Sequence, residues 1–221
     1  MKKRFLRVCR LGRIDYNEAL TLQKQTEQAV IDGKAPDTLF LLEHPHTYTI
    51  GRRASQSGIL ATSEILEKIG AKVFETDRGG KITYHGIGQI VGYPVINLAK
   101  FKQDVHHYVR CLEEVLIKML SEYRIEAYRI EGLTGVHTKD GKVAAIGVHI
   151  KRWVTTHGFA LNVNTDLSYF NWIIACDGEP VTSMERILGR EIDLFEVEDK
   201  IIKKFAEVFN YGEVFEVGKE N

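Results

Sequence analysis

Two β-rich segments that follow each other directly in the sequence constrain the fold most. Residues 142–151 (KVAAIGVHIK) and 153–164 (WVTTHGFALNVN) are rich in small and β-branched residues, which is typical of strands. If they pair as neighbours in one sheet, Lys142 and Cys176 can be brought together although they lie far apart in the sequence. His157-Gly158 interrupts the second strand, and a glycine in a strand lets a ligand or another chain approach the backbone.

The rest of the pattern indicates a mixed fold. Apolar residues at the helical or the strand period predict helices over 15–31, 62–68, 104–123, 182–188 and 193–208, and strands over 4–12, 38–42, 48–51, 71–75, 81–85, 89–98, 128–130, 135–138 and 213–217. The order does not alternate regularly between strand and helix. We therefore predict an α+β fold whose sheet is mixed and mostly antiparallel.

Short local signals predict helix starts and turns. Asp15 with Glu18, and Thr182 with Glu185, have the spacing of capping boxes that begin helices. Glycine clusters on both sides of residues 81–85 predict a hairpin that joins this strand to the run from residue 89 to 98.

Composition excludes several classes of protein. The 30 Lys and Arg residues balance 30 Asp and Glu residues, so no basic excess indicates nucleic-acid binding. No stretch approaches the ~18 consecutive apolar residues of a membrane span, and no long apolar run follows the basic N-terminus as in a signal peptide. We expect a soluble cytoplasmic protein that binds neither nucleic acid nor membrane.

The cysteines and histidines do not indicate a metal site or a disulfide framework. Cys9, Cys111 and Cys176 form no CxxC pair, and their number is odd. The histidines lack a ligand spacing such as HExxH. We therefore expect no metal and no cofactor, and Cys176 stands alone in a predicted loop.

Lys142 and Cys176 are the candidate chemistry. An ammonium group beside a cysteine favours the ionised sulfur, which is the nucleophilic form. Spacing alone leaves open that Lys142 points into water, as lysines after a turn usually do. It also leaves open that residues 78–81 (RGGK) are an ordinary glycine turn with solvated charges.

Three segments together resemble the lipoyl(octanoyl) transferases. They are RGGKITYHGIGQIVGYPVINL (78–98), GKVAAIGVHIKRWVTTHGFALNVNTDL (141–167) and the following Ile173-x-x-Cys176, and the likeness extends over at least residues 39–184, including YTIGRR at 48–53. The resemblance implies the biotin/lipoate ligase catalytic fold, a mostly antiparallel mixed sheet with helices packed on it. It also implies a single catalytic domain over residues 1–221, with residues 181–221 as a C-terminal helical cap.

The same resemblance implies a function. Such enzymes move an octanoyl group from octanoyl-acyl carrier protein to a lysine of lipoyl domains through an acyl-cysteine thioester, the first step of endogenous lipoate synthesis. The implied acceptors are lipoyl domains of 2-oxoacid dehydrogenase complexes and the glycine cleavage H protein. The enzyme is expected to act as a monomer without a cofactor.

The resemblance also assigns residues by position. Cys176 takes the acyl-thioester position, and Lys142 the position that lowers its pKa. The substrate-binding positions are Arg78, Gly79, Gly80, Lys81, Ile82, Thr83, Tyr84, His85, Ala145, Ile146, Gly147, Gly158, Phe159 and Ala160.

Two further expectations concern the substrates. The acyl tail is expected in an apolar slot formed by Val143, Ala145, Ile146, Phe159 and Leu161. Basic groups at Arg52-Arg53, Arg78 (at the rim of the site) and Lys151-Arg152 are expected to guide acidic carrier domains to the enzyme.

The chain departs from the family pattern at three positions. Ala175 and Asp177 flank the cysteine where the family has proline and glycine, and Ile87 replaces the proline of HGPGQ. A carboxylate at Asp177 that pointed inward would raise the thiol pKa. Two alternative functions therefore stay open: an ATP-dependent lipoate- or biotin-protein ligase on the same fold, and a non-catalytic binder of lipoyl domains.

Overall fold

The computed structural model describes residues 4–174 and 179–217. The elements in chain order are β1 (Phe5–Arg13), α1 (Tyr16–Ile31), β2 (Asp37–Glu43), β3 (Thr47–Ile50), α2 (Ser63–Lys68), β4 (Lys72–Glu75), β5 (Ile82–His85), β6 (Gln89–Val95), α3 (Val105–Ser121), β7 (Val136–Thr138), β8 (Gly141–Lys151), β9 (Val154–Asn162), α4 (Met184–Leu188), α5 (Leu194–Val208) and β10 (Glu213–Val217). A 3₁₀ helix covers Leu167–Trp172.

The strands form two sheets. The larger has the order β10-β1-β2-β6-β9-β8-β7, and the smaller has the order β4-β3-β5. β1 runs parallel to both of its neighbours and β3 parallel to β4, whereas the other pairs are antiparallel. The predicted class, a mixed and mostly antiparallel sheet with packed helices, is confirmed.

The two long segments pair as neighbours, which meets the condition for bringing Lys142 close to the segment that follows Cys176. β8 and β9 are antiparallel over their length, with Ala144 opposite Leu161 at one end and Lys151 opposite Val154 at the other. β9 also pairs with β6, so it lies inside the sheet. The centre of the large sheet is therefore built from the segments that carry most of the candidate site.

The predicted hairpin between residues 81–85 and 89–98 is wrong. β5 pairs with β3 in the small sheet, and β6 has both edges occupied by β2 and β9 in the large one. Gly88 makes the crossing between sheets possible: its φ is +79°, and a Cβ would lie 2.4 Å from the Asn164 carbonyl oxygen. The glycines of this segment thus serve a change of sheet.

Helices cover both faces of the large sheet. Leu39 and Leu41 pack in the cluster that includes α3 and α5, whereas Phe40 and Leu42 pack with residues of α1. Successive strand residues point to opposite faces, so these clusters lie on opposite sides. The segment from residue 181 onward supplies α4 and α5 and also β10, which extends the sheet beside β1. No helix within the described ranges is long and apolar enough to cross a bilayer.

Caps explain where the helices begin, with one correction. Asp15 caps α1, but it accepts a hydrogen bond from the Asn17 backbone N–H at 2.9 Å, not from Glu18. Thr182 does not cap α4. Ser183 does, by accepting from the Arg186 N–H at 3.2 Å.

We predict a difference in stability between these two neighbours. Ser183→Ala removes a cap and is expected to lower the free energy of unfolding by about 1 kcal/mol. Thr182→Val replaces a buried hydroxyl that has no hydrogen-bond partner among residues 4–174 and 179–217 by a group of the same shape, so it is expected to be neutral or slightly stabilising. Urea unfolding of both variants measures the difference, and a larger loss in Thr182→Val would contradict the observed cap.

Candidate active site

A cavity of about 390 Å³ opens between residues of the two sheets. β5 lines it from the small sheet, and β8 and β9 from the large one, together with the segments 78–81, 132–134 and 179–181. The predicted residues that it brings together are Arg78, Gly80, Lys81, Ile82, Thr83, His85, Lys142, Ala145, Ile146, Gly147, Gly158, Phe159 and Ala160.

Two predicted positions within the described residues, Tyr84 and Gly79, do not line the cavity walls. Tyr84 lies behind them, with its hydroxyl 2.6 Å from His46 Nδ1 and its ring stacked on Tyr169. Gly79 donates its backbone N–H to the Val148 carbonyl at 3.0 Å, which ties the 78–81 segment to β8. Cys176 and its neighbours Ala175 and Asp177 lie outside the described residues.

Lys142 is fixed by backbone pairing with the segment that follows the predicted nucleophile. Its N–H donates to the Pro180 carbonyl at 2.8 Å, and its carbonyl accepts from the Thr182 N–H at 3.0 Å. The side chain is 13% exposed and its Nζ lies 3.6 Å from the Glu179 carboxylate. The lysine thus lines the cavity and does not extend into water.

Arg78 is a buried structural group, which corrects its predicted place at the rim and in docking. It is 8% exposed. Its Nη2 donates to the Thr49 carbonyl at 2.6 Å, its Nε to Thr49 Oγ1 at 3.2 Å and its Nη1 to the Gly79 carbonyl at 3.0 Å. The guanidinium therefore holds the 78–81 segment against β3. The other predicted basic residues, Arg52, Arg53, Lys151 and Arg152, are exposed.

The apolar wall of the cavity is narrower than predicted. Ala145, Ile146 and Phe159 line it. Val143 and Leu161 are fully buried in the core cluster that includes α3 and α5, so their assignment to the slot is wrong. Neither residue lines the cavity.

Glycines keep the cavity walls close to neighbouring backbone. A Cβ on Gly147 would lie 2.7 Å from the Gly79 carbonyl oxygen, and one on Gly158 would lie 2.2 Å from the Gly92 carbonyl oxygen. Contacts below 3.0 Å require the backbone to move. Both glycines are therefore required by packing within the protein.

A buried chain of hydrogen bonds links β5 to the segment beside Lys142. His85 Nδ1 lies 2.8 Å from Gln89 Oε1, and Gln89 Nε2 donates to Asn162 Oδ1 at 2.9 Å. Asn162 Nδ2 in turn donates to the Thr182 carbonyl at 3.0 Å. These amides fix the position of residue 182, which pairs with Lys142.

The partners also set the protonation of His85. Gln89 Nε2 donates to the Tyr84 carbonyl at 3.1 Å, so Gln89 Oε1 faces His85 and accepts from Nδ1–H. The other ring nitrogen of His85, Nε2, then lacks a proton and lies 3.3 Å from Thr49 Oγ1. Burial, with the nearby His44 and Arg78, holds the pKa of His85 well below its usual value.

His44 is held neutral in the same way. Its Nδ1 donates to the Ile14 carbonyl at 2.8 Å, and its Nε2 accepts from the Tyr93 hydroxyl at 2.8 Å. Burial lowers the pKa of His44 to about 4.

His157 lies on the cavity wall in a strained backbone conformation. Its φ is +56°, which is uncommon for a residue other than glycine, and the Gln23 side chain accepts from its N–H at 2.7 Å. Its Nε2 lies 2.7 Å from Asp77 Oδ1. That hydrogen bond holds the pKa of Asp77 well below its usual range, while burial lowers the pKa of His157.

Sequence reasoning missed about half of the lining residues. Gln89 and Asn162 carried a usable signal, because each is polar and belongs to an apolar strand. The others come from distant parts of the chain that only the fold brings together. The missed residues are Tyr16, Arg53, Gln89, Tyr93, Gly132, Leu133, Thr134, His157, Asn162, Phe170, Ile173, Glu179 and Val181.

Comparison with known proteins identifies relatives over most of the chain. The family described as "Lipoyl protein ligase A/B catalytic domain" matches residues 15–206. An "Octanoyltransferase" of Solibacter usitatus is 52% identical over 202 residues, 91% of this chain and 91% of that protein. An "Octanoyltransferase" of Caldicellulosiruptor bescii is 47% identical over 208 residues, 92% of this chain and 91% of that protein.

A solved structure has the same fold at low sequence identity. The bipartite lipoate protein ligase of Thermoplasma acidophilum, described with its E2 lipoyl domain, superposes with a TM-score of 0.76. The match covers 99% of this chain and 87% of that chain at 17% identity.

We predict that the buried His44 and His85 make the free energy of unfolding fall on acidification. The unfolded chain protonates them near pH ~6.5, whereas the folded protein keeps them neutral. The unfolded state therefore binds more protons, and each histidine gives a slope of up to about 1.4 kcal/mol per pH unit below about pH 6.5. For His44 the loss continues to about pH 4.

Urea unfolding across this pH range measures the slope. His85→Gln is expected to reduce this slope by up to about 1.4 kcal/mol per pH unit. His106→Gln, at an exposed position on α3, is expected to leave the slope unchanged. An unchanged slope in His85→Gln would show that His85 does not contribute in this way.

Proposed function

We propose that this chain, which belongs to the lipoyl protein ligase A/B catalytic domain family, transfers octanoyl groups in lipoate biosynthesis. The observation that carries the proposal is the cavity in which Lys142 and a wall of small apolar residues meet. The name shared by the two bacterial relatives, at 47% and 52% identity over about nine-tenths of the chain, supports the same activity.

The finer proposal concerns donor, acceptor and intermediate. Octanoyl-acyl carrier protein donates the acyl group to Cys176, and a lysine of a lipoyl domain accepts it. Lipoyl domains of 2-oxoacid dehydrogenase complexes and the glycine cleavage H protein are the proposed acceptors. The Thermoplasma acidophilum ligase forms a lipoylation system with its E2 lipoyl domain, which supports a lipoyl domain as the acceptor class here.

In the first half of the reaction the Cys176 thiolate attacks the thioester carbonyl of the donor. The tetrahedral intermediate expels the carrier thiolate, which takes a proton from the Lys142 ammonium and leaves as a thiol. Lys142 is then neutral, and the acyl group rests on sulfur. A cysteine without a neighbouring cation is only a few per cent thiolate at neutral pH, so the lysine charge matters most at this step.

In the second half the acceptor lysine must lose its charge before it attacks. The neutral Lys142 amine takes one of its protons and becomes an ammonium again. The acceptor nitrogen attacks the acyl-cysteine, the sulfur leaves as thiolate, and the second proton passes to water. Backbone N–H groups near Gly80, or in the segment that carries Cys176, are proposed to stabilise the oxyanion.

The tail of the acyl group is proposed to lie along Ala145, Ile146 and Phe159. In the β8–β9 register Ala145 pairs with Ala160, and Ile146 pairs with Phe159, and all four residues line the cavity. Each buried methylene contributes about 0.8 kcal/mol, so the tail supplies several kcal/mol of affinity.

The intermediate can be tested directly. Incubation with octanoyl-acyl carrier protein, followed by intact mass measurement, is expected to show one octanoyl adduct that Cys176→Ala lacks. Lys142→Met is expected to form it about 10-fold more slowly or worse, because the thiolate fraction falls. Lys139→Met, an exposed lysine in the β7–β8 turn, is the matched control and should react at the normal rate.

Other outcomes of this experiment identify the alternatives. An equal adduct on Cys176→Ala, or none on the wild type, rejects the acyl-cysteine. Transfer from free octanoate that requires ATP and Mg²⁺ and survives Cys176→Ser indicates the ligase. Binding of a lipoyl domain without turnover indicates the non-catalytic binder.

We also predict that residue 145 limits the length of the acyl chain. Ala145→Leu is expected to fill the slot and remove two to three methylene contacts, a loss of about 2 kcal/mol or roughly 30-fold in kcat/KM for octanoyl donors. Transfer of a butanoyl group should fall much less. Ala99→Leu, at an exposed position, is the control. An equal fall for both donors would place the tail elsewhere.

A further inference from the structure

Glu179 is the feature of the cavity that the proposed mechanism leaves unexplained. Its carboxylate lies 3.6 Å from Lys142 Nζ and 3.3 Å from Nε2 of the buried His137. Its side chain is 18% exposed, and it is the single carboxylate among the described residues that line the cavity. The other charged side chains of that lining are Arg53, Arg78, Lys81 and Lys142.

The lysine is confined from the opposite side by backbone. A Cβ on Gly135 would lie 2.6 Å from Lys142 Cε and 3.4 Å from its Nζ, so the 132–135 segment packs directly on the lysine stem. Gly135 has a φ of +129°, and its N–H donates to the buried Glu113 carboxylate at 3.1 Å. Glu113 is itself paired with Arg110 and Arg129. The negative charge nearest to the Lys142 ammonium among the described residues is therefore Glu179.

The position of Glu179 in the fold is also fixed. Residue 180 and residue 182 pair with the backbone of Lys142, and Asn162 holds the Thr182 carbonyl. His137 lies on β7 in register with Lys142 on β8 and contacts the carboxylate from that side. Two neighbouring strands and a paired segment thus bring these three side chains together.

We propose that Glu179 is a positioning residue that holds the Lys142 ammonium in the cavity and sets the pH at which the second half of the reaction runs. The inference rests on the proposed function. A carboxylate this close favours the charged amine. When Cys176 is acylated the thiolate charge is gone and Lys142 is neutral, and Glu179 is the group that favours renewed protonation of the amine.

The consequence differs between the two half-reactions. In the resting enzyme Glu179 keeps the ammonium in place. In the acyl-enzyme it opposes the neutral form of Lys142, which has to take a proton from the acceptor lysine. Removal of the carboxylate charge should therefore let the second half proceed at lower pH.

The experiment isolates the second half. Acyl-enzyme is formed with octanoyl-acyl carrier protein, separated from the donor and mixed with a lipoyl domain over a range of pH in single turnovers. Glu179→Gln is expected to move the midpoint of the pH–rate profile down by about one unit, since an opposite charge within ~4–6 Å shifts such equilibria by roughly one to three units. Glu179→Asp keeps the charge and should keep the midpoint, with a lower rate.

Controls separate this inference from the function on which it rests. Glu131→Gln makes the same change in net charge at an exposed position and should leave the midpoint unchanged. A wild type that forms no acyl-enzyme rejects the proposed function. A normal wild type with an unchanged midpoint in Glu179→Gln rejects the role of Glu179 alone. If Glu179→Gln does not fold, His137→Asn, which removes the contact that holds the carboxylate beside Lys142, must move the midpoint in the same direction, and an unchanged midpoint there overturns the proposal.

Discussion

The candidate site depends on one short stretch of backbone pairing. The Lys142 N–H donates a hydrogen bond to the carbonyl of residue 180, and the Lys142 carbonyl accepts one from the N–H of residue 182. Through this pairing, the chain that follows β9 and the Leu167–Trp172 helix returns to the start of β8. A main-chain contact fixes spacing more tightly than an ion pair between flexible side chains, because few torsions remain free. The lysine and the segment that follows the cysteine are thus placed together by the sheet itself.

Buried polar groups protect that placement. His85, Gln89 and Asn162 sit among apolar strands, and each directs its hydrogen-bonding groups to the next until the Thr182 carbonyl is reached. A buried polar group without a partner is destabilising, so every member depends on the others. The network thus gives one part of the cavity lining hydrogen-bond donors and acceptors at fixed positions, beside the apolar part of the lining.

The sequence predicted the elements well and their connections less well. Periodicity identified the helices and the strands except 128–130, where only Tyr128 forms an isolated bridge to His137. The two segments on either side of Arg152 form the β8–β9 pair. Periodicity did not separate β5 from β6, because a glycine-rich link looks alike whether it turns back into one sheet or crosses to another. Arg78 was misplaced for a related reason: the sequence shows a charge, but its burial depends on Thr49, which lies 29 residues away. Glu179 was missed because its contacts with Lys142 and His137 arise only in the folded chain.

The pairing of β10 with β1 has a consequence for how the molecule is made. β1 (Phe5–Arg13) is synthesised well before its outer neighbour β10 (Glu213–Val217), because it precedes β10 in the chain. Until residues 213–217 arrive, the hydrogen-bonding groups along one side of β1 have no partner, and such a strand can pair with another chain. Pairing with β10 satisfies these groups of β1, so the delay before β10 is synthesised sets how long β1 can pair with another chain.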